Sequence, residues 1–192
     1  DAVACCREVI EEIKHLILPG VRLTFIPPVE QYMLNTDKQR FKQILINLLG
    51  NAAKFTRDGE IRLTFEIEPN LHQIRLSVTD TGCGIPIEKH PHIFDRFEKV
   101  NEFVQGAGLG LAISLLIAQL LKGSLFIDST YTSGARFVFI HPIGLTNNNN
   151  QEDAAYFFQI SSFYMESNRT LIVTFRPTCF SNQRTQDRDR QS

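Results

Sequence analysis

An excess of charge of either sign is missing from this sequence: 20 Lys and Arg stand against 21 Asp and Glu in 192 residues, a net charge of −1. No overall field draws the chain to nucleic acid or to an anionic membrane, so any anion site must be local. Cysteine is scarce and badly spaced for metal. Cys5, Cys6, Cys83 and Cys179 form no C-x-x-C pair and have no histidine cluster nearby, which argues against structural zinc and fits a reduced, cytoplasmic setting. Long apolar runs are lacking as well: no stretch approaches the ~18 residues a spanning helix needs, and the mixed charges of Asp1 to Glu12 do not resemble a signal peptide. A soluble chain, or a cytoplasmic piece of something anchored, is expected. What the sequence does have is 43% hydrophobic residues, enough for one sizeable core.

Periodicity divides the chain. Val3, Cys6, Val9, Ile10 and Ile13 are helically spaced and stop before Pro19-Gly20, giving a short lead-in helix in residues 1–20. Val21, Leu23 and Phe25 alternate as a strand, and Tyr32 to Asn35 could supply a second short one. A long helix is expected from Thr36 or Asp37 to about Phe55, with Thr36 and Gln39 at capping-box spacing. Its apolar stripe is Phe41, Ile44, Leu45, Leu48, Leu49 and Ala52, while Arg40, Gln43, Asn47, Asn51 and Lys54 gather on another face. Ile61 to Ile67 and Ile74 to Val78 alternate around Pro69-Asn70 as a hairpin. A glycine-rich stretch at 106–110 opens a second helix with Leu109, Ile113, Leu116, Ile117 and Leu120 at helical spacing and Gly123 as its C-terminal cap. Strands at 124–129 and 135–141 follow. Beyond Gly144 the Asn147 to Asn150 run and a polar, charge-rich end mark residues 145–192 as a poorly ordered appendage, in which only Tyr156 to Tyr164 and Thr170 to Phe175 look capable of structure.

Three segments could carry chemistry. Asp80-Thr81-Gly82-Cys83-Gly84-Ile85-Pro86 follows a strand: a carboxylate there can accept from an exocyclic amine, and glycines let backbone approach a planar ligand, although the same residues also make an ordinary turn. Gly106-Ala107-Gly108-Leu109-Gly110 leads into a helix, where free backbone N–H groups favour phosphate oxygens; close helix packing is the other reading. Neither a Walker phosphate loop nor a Rossmann unit is present. On the long helix, Asn47, Asn51 and Lys54 lie at i, i+4 and i+7, so two amides and an ammonium share a face that is either solvated or suited to Mg²⁺ and phosphate.

Taken in order, the asparagine helix, the D-x-G-x-G loop, Phe94-Asp95-Arg96-Phe97 and the G-x-G-L-G stretch resemble the N, G1, F and G2 boxes of the ATP-binding catalytic domain of sensor histidine kinases (HATPase_c, GHKL superfamily), as found in hybrid two-component sensors. The resemblance covers about residues 20–142. It implies a Bergerat ATP-binding fold, an α/β (α+β) two-layer sandwich whose mixed β-sheet is covered on one face by helices, with the catalytic domain at 21–144 and residues 1–20 a remnant of the linker from a dimerisation domain.

It also implies roles. Asn51 would bind Mg²⁺; Asn47 and Lys54 would help hold the phosphates of ATP, and Phe55 would lie against the base. Asp80 would contact the adenine amine in a pocket shaped by Gly82, Gly84 and Ile85. Gly106, Gly108, Leu109 and Gly110 would bring backbone amides to the phosphates, and Lys99 would approach the γ-phosphate from a short lid at 98–107. The expected partners are a histidine-bearing dimerisation domain, which these residues do not supply, and a downstream response regulator, with no nucleic acid and no direct membrane contact. His15 lacks the Glu and the Arg-Thr-Pro that usually surround the acceptor histidine. Relatives that hydrolyse ATP carry a glutamate four residues before the metal asparagine; this sequence has Asn47 there, and an amide cannot accept a proton. Transfer to a protein is therefore favoured over hydrolysis. A nucleotide-binding scaffold without kinase activity and a serine kinase of the anti-sigma-factor type are the alternatives.

Overall fold

The computed structural model describes residues 1–97 and 108–143. Lys99, Gly106, Cys179 and the segments after Gly144 named above lie outside the described residues. Helix α1 (Ala2–Ile13) starts at Asp1, whose carboxylate accepts from the N–H groups of Val3 and Ala4. Val3, Cys5, Cys6, Val9 and Ile13 are all buried, so α1 is built into the core, and a 3₁₀ turn at Lys14–Leu16 carries the chain to β1 (Val21–Phe25). Burial pushes both thiols up from their ordinary value, which keeps them protonated and inert.

Helix α2 (Lys38–Phe55) buries Phe41, Ile44, Leu45, Leu48, Leu49, Ala52 and Ala53, the stripe read from the sequence plus one alanine. Its start differs from the expected capping box. Asp37 is the N-cap, accepting from the Arg40 N–H at 3.1 Å, while the Thr36 hydroxyl bonds His141 Nε2 at 2.8 Å. An aspartate caps as well as a threonine and adds a charge of the right sign for the helix dipole. That leaves Thr36 to satisfy a buried imidazole. No strand forms at 32–35; this segment is held instead by Tyr32, whose C=O accepts from Ala2 N–H and whose N–H donates to Asp1.

Strands β2 (Gly59–Glu68), β3 (Gln73–Asp80), β4 (Ser124–Ile127) and β5 (Ala135–Pro142) join β1 in a five-stranded sheet of order β1-β2-β3-β5-β4. β1 runs parallel to β2 and the other pairs are antiparallel. The β2–β3 turn is a 3₁₀ turn, Pro69–Leu71, closed by His72 in the left-handed region. Because paired positions share a face, the register stacks Leu63, Val78 and Phe137 in one row and Phe65, Leu76 and Phe139 in the next. This apolar face meets the helices. The same register ends in Ile61, Asp80 and Ala135, which puts the Asp80 carboxylate on the helix side of the sheet. On the other face Arg62, Arg75 and Arg136 pair with Glu60, Glu68 and Asp128.

Helix α3 (Gly110–Leu120) is apolar nearly all round, and its buried positions are Ala112, Ser114, Ile117 and Ala118. Leu116 and Leu120, expected in the core stripe, are only half-buried; small side chains take the core side because the helix packs close. Its C-terminus also departs from expectation. Lys122, not Gly123, takes the left-handed conformation (φ 59°), with Lys122 N–H to Gln119 C=O and Gly123 N–H to Ala118 C=O completing a Schellman motif. Gly123 is required for another reason: a Cβ there would sit 2.2 Å from the Ile140 carbonyl oxygen.

Candidate functional site

Two elements, the loop after β3 and the start of α3, converge on the exposed side of α2. Asn47, Asn51 and Phe55 lie at i, i+4 and i+8 along it, all half-buried, so they form a row spanning about 12 Å at 1.5 Å per residue. Lys54 is exposed beside this row, its Nζ 5.5 Å from the centre of the Phe55 ring.

At the Phe55 end the row meets the loop after β3. Gly82 lies so close that a Cβ on it would be 2.4 Å from the Phe55 carbonyl oxygen, which also accepts from Cys83 N–H at 3.4 Å. Only glycine permits this contact. Asp80, 5% exposed, ends β3 beneath the loop, and its Oδ1 accepts from the N–H groups of Gly82 (2.9 Å) and Ala135 (3.3 Å). Burial raises its carboxyl above the ordinary value, against the pull of those two bonds. Both bonds fall on one oxygen, so Oδ2 remains as an acceptor. Gly84 and Ile85 continue the loop, and the Ile85 carbonyl accepts from His90 Nε2 at 2.9 Å. Thr56, next to Phe55, buries its hydroxyl with no hydrogen-bond partner among the described residues, the kind of group that an ordered water commonly satisfies.

At the Asn47 end the row meets the start of α3. Asn47 Nδ2 donates to Ser114 Oγ at 2.9 Å, and a Cβ on Gly110 would be 2.2 Å from Asn47 Oδ1. Leu109 is the N-cap and supplies no side-chain hydrogen bond. Among the described residues no side chain caps the first N–H groups of α3, which with the positive end of the helix dipole suit an anion. Gly108, at φ 68°, accepts at its carbonyl from Phe97 N–H (3.0 Å). Phe94 packs edge-on against Phe137, ring centres 6.2 Å apart, while Phe97 is exposed.

The structure thus joins Asp80, Gly82 and Phe55 at one end of the α2 row and Asn47 and Gly110 at the other, with Asn51 between. It offers an acceptor at one end and, at the other, a helix start that Leu109 does not cap. Sequence reading missed Ser114, the Ala135 N–H and Thr56. Ser114 left a signal: it is the only polar side chain from Leu111 to Ala118, and a lone hydroxyl on an apolar helix calls for a partner. Ala135 left none, because its contribution is a backbone N–H.

Comparison with known proteins identifies the family and the fold. Residues 36–145 match the family described as histidine kinase-, DNA gyrase B-, and HSP90-like ATPase. The hybrid signal transduction histidine kinase B of Dictyostelium discoideum is 35% identical over 130 residues, 64% of this chain and 7% of that protein. The sensor histidine kinase RcsC of Escherichia coli is 37% identical over 147 residues, covering 71% and 15%. The chain thus spans a small fraction of these relatives. Full-length ShkA, solved in complex with AMPPNP, superposes with a TM-score of 0.64 at 30% identity, covering 77% of this chain and 31% of that one. The mixed sheet with helices on one face is that fold.

Proposed function

Because the chain belongs to the family of histidine kinase-, DNA gyrase B- and HSP90-like ATPases, we propose that it binds ATP along the α2 row and presents the γ-phosphate to a histidine on a separate dimerisation domain. The observation that carries this reading is what stands at the two ends of the row: an Asp80 oxygen left over from the bonds to Gly82 and Ala135 at one end, and helix N–H groups that Leu109 does not cap at the other. Asp80 Oδ2 accepts from the adenine amine, and the ring lies against the loop that carries Gly82, Gly84 and Ile85, beside the Phe55 side chain. The triphosphate then runs toward Gly108, Leu109 and Gly110, whose amides face its charge. Lys54, with Lys99 and Gly106 from outside the described residues, completes the phosphate contacts.

The residues present fit Mg²⁺ carried in on the phosphates. Asn51 offers an amide oxygen midway along the row, and no group of three or more His, Cys, Asp or Glu capable of caging a metal exists among the described residues. Bound there, the ion would neutralise phosphate charge, while Asn51 would orient it. Asn47 provides no general base, so the domain's own groups bind, orient and shield the triphosphate and leave the nucleophile to a partner. A response regulator would take the phosphoryl group onward. No helix among the described residues is long and apolar enough to cross a membrane, and a cytoplasmic setting is part of this reading.

Calorimetric titration with Mg²⁺-ATP tests binding, and incubation with labelled ATP and a family dimerisation domain tests transfer. Absence of heat from the first sinks the reading; binding without transfer to the supplied histidine favours a nucleotide-binding scaffold.

A further inference from the structure

We propose that Ser114 is a positioning residue for the triphosphate, acting through Asn47 to fix where the first turn of α3 stands against α2. The inference rests on the ATP-binding reading and adds to it a residue and a mechanism. Ser114 is 1% exposed, and a hydroxyl so buried on an apolar helix costs free energy unless it is bonded. Its Oγ accepts from Asn47 Nδ2 at 2.9 Å. Gly110 lies one turn earlier on α3, and its backbone rests against the other end of the same amide: a Cβ would be 2.2 Å from Oδ1 and 3.0 Å from the amide carbon.

The Asn47 side chain is therefore gripped between residues i and i+4 of α3. One amide sets both the height of the helix start, through Gly110, and the rotation of its first turn, through Ser114. The N–H groups of that turn are the ones left uncapped by Leu109, and the metal asparagine, Asn51, is one turn from Asn47 on α2. The distance between phosphate-binding amides and Asn51 is thus controlled by a bond that touches neither. Nothing in this grip reaches the base end, where Asp80 is held by Gly82 and Ala135.

The consequence is selective. Ser114→Ala removes the partner of Nδ2 and lets the amide turn; Ser114→Cys, close in size, leaves only the weak acceptor of a thiol. Both weaken ATP binding by about tenfold, the scale of one lost buried hydrogen bond, and leave adenosine binding within about twofold, since adenosine carries no phosphate to misplace. Binding of both ligands is measured by chemical-shift titration of the full chain with Mg²⁺, after circular dichroism confirms each variant is folded. A purely structural role lowers both affinities together, or neither, and overturns the proposal; so does a wild-type ATP-to-adenosine ratio in both variants. Ser114→Cys keeps the test decisive if Ser114→Ala does not fold. A wild-type chain that binds no ATP overturns the nucleotide reading and this inference with it, whereas a wild-type chain that binds ATP alongside unselective variants overturns this inference alone.

Discussion

Replacing Asp80 by asparagine should stabilise the free protein while crippling nucleotide binding. The amide of Asp80→Asn is the same shape as the carboxylate, and its orientation is dictated by the structure. Two backbone N–H groups, from Gly82 and Ala135, aim at the Oδ1 position, so the amide oxygen goes there and the NH₂ takes the place of Oδ2. A donor then faces the adenine amine, itself a donor. Leaving such a group unsatisfied costs ~1–3 kcal/mol, or roughly 5- to 150-fold in affinity. The effect on the free protein has the opposite sign. Burial raises the Asp80 carboxyl above its ordinary value, so the native state holds the proton more tightly than the unfolded chain, and stability falls as pH rises from the unfolded value through the folded one. At pH 7 the ionised group is a net cost that the neutral amide removes. A gain on the order of 1 kcal/mol is the usual return for relieving one functional strain, raising Tm by a few degrees. Scanning calorimetry at pH 7 and again near pH 3.5 checks this: the Tm gain should shrink at the lower pH, as wild-type Asp80 takes up its proton. A lower Tm at pH 7, or an ATP affinity within twofold of wild type, refutes the argument.

Other perturbations follow from the same contacts. Removing Mg²⁺ with a chelator should weaken ATP binding by the wild-type chain; in Asn51→Ala the chelator should have much less effect, which calorimetry with and without the ion measures. His141 is 3% exposed against the edges of Phe41 and Phe139, which also touch each other, and burial lowers its pKa below 6.5. Its unfolded form takes the proton first, so stability is full above the ordinary histidine pKa and declines as pH falls below it; urea midpoints at pH 7.5 and 5.5 should show the decline, and His141→Phe should flatten it. Incubated alone with labelled ATP, the chain should gain no acid-labile phosphate on His15, and mass spectrometry of the peptide containing it would expose the contrary result.

Much of this was legible in the sequence where one physical signal dominated. The α2 stripe from Phe41 to Ala52 and the alternation in β2 and β3 were read directly, because burial of one face forces those periods. The four motifs located the loop after β3 and the start of α3 in chain order. Two of the misses, both at helix ends, come from competition between neighbouring residues for one role. Asp37 displaced Thr36 as cap because His141, 105 residues away, claimed the threonine hydroxyl; Lys122 took the left-handed position beside a glycine needed for close packing on Ile140. Neither choice can be read from a local window.

Asn47 shows how the two kinds of reading combine. In the sequence its significance was negative: an amide stands where hydrolysing relatives have a carboxylate, so water is not activated. In the structure the same side chain has positive work, bonded to Ser114 and seated on Gly110. A glutamate at this position would be a poor substitute. Its carboxylate could bond the Ser114 hydroxyl only with the direction reversed, the hydroxyl donating, and it is one methylene longer and would meet the Gly110 backbone, where the amide already leaves no room for a methyl. Asn47→Glu should therefore fail to create an ATPase: the change that supplies a base also displaces the helix start that holds the phosphates. Steady phosphate release by that variant, with ATP affinity intact, would show that the base alone separates the two activities and that the α2–α3 contact is incidental.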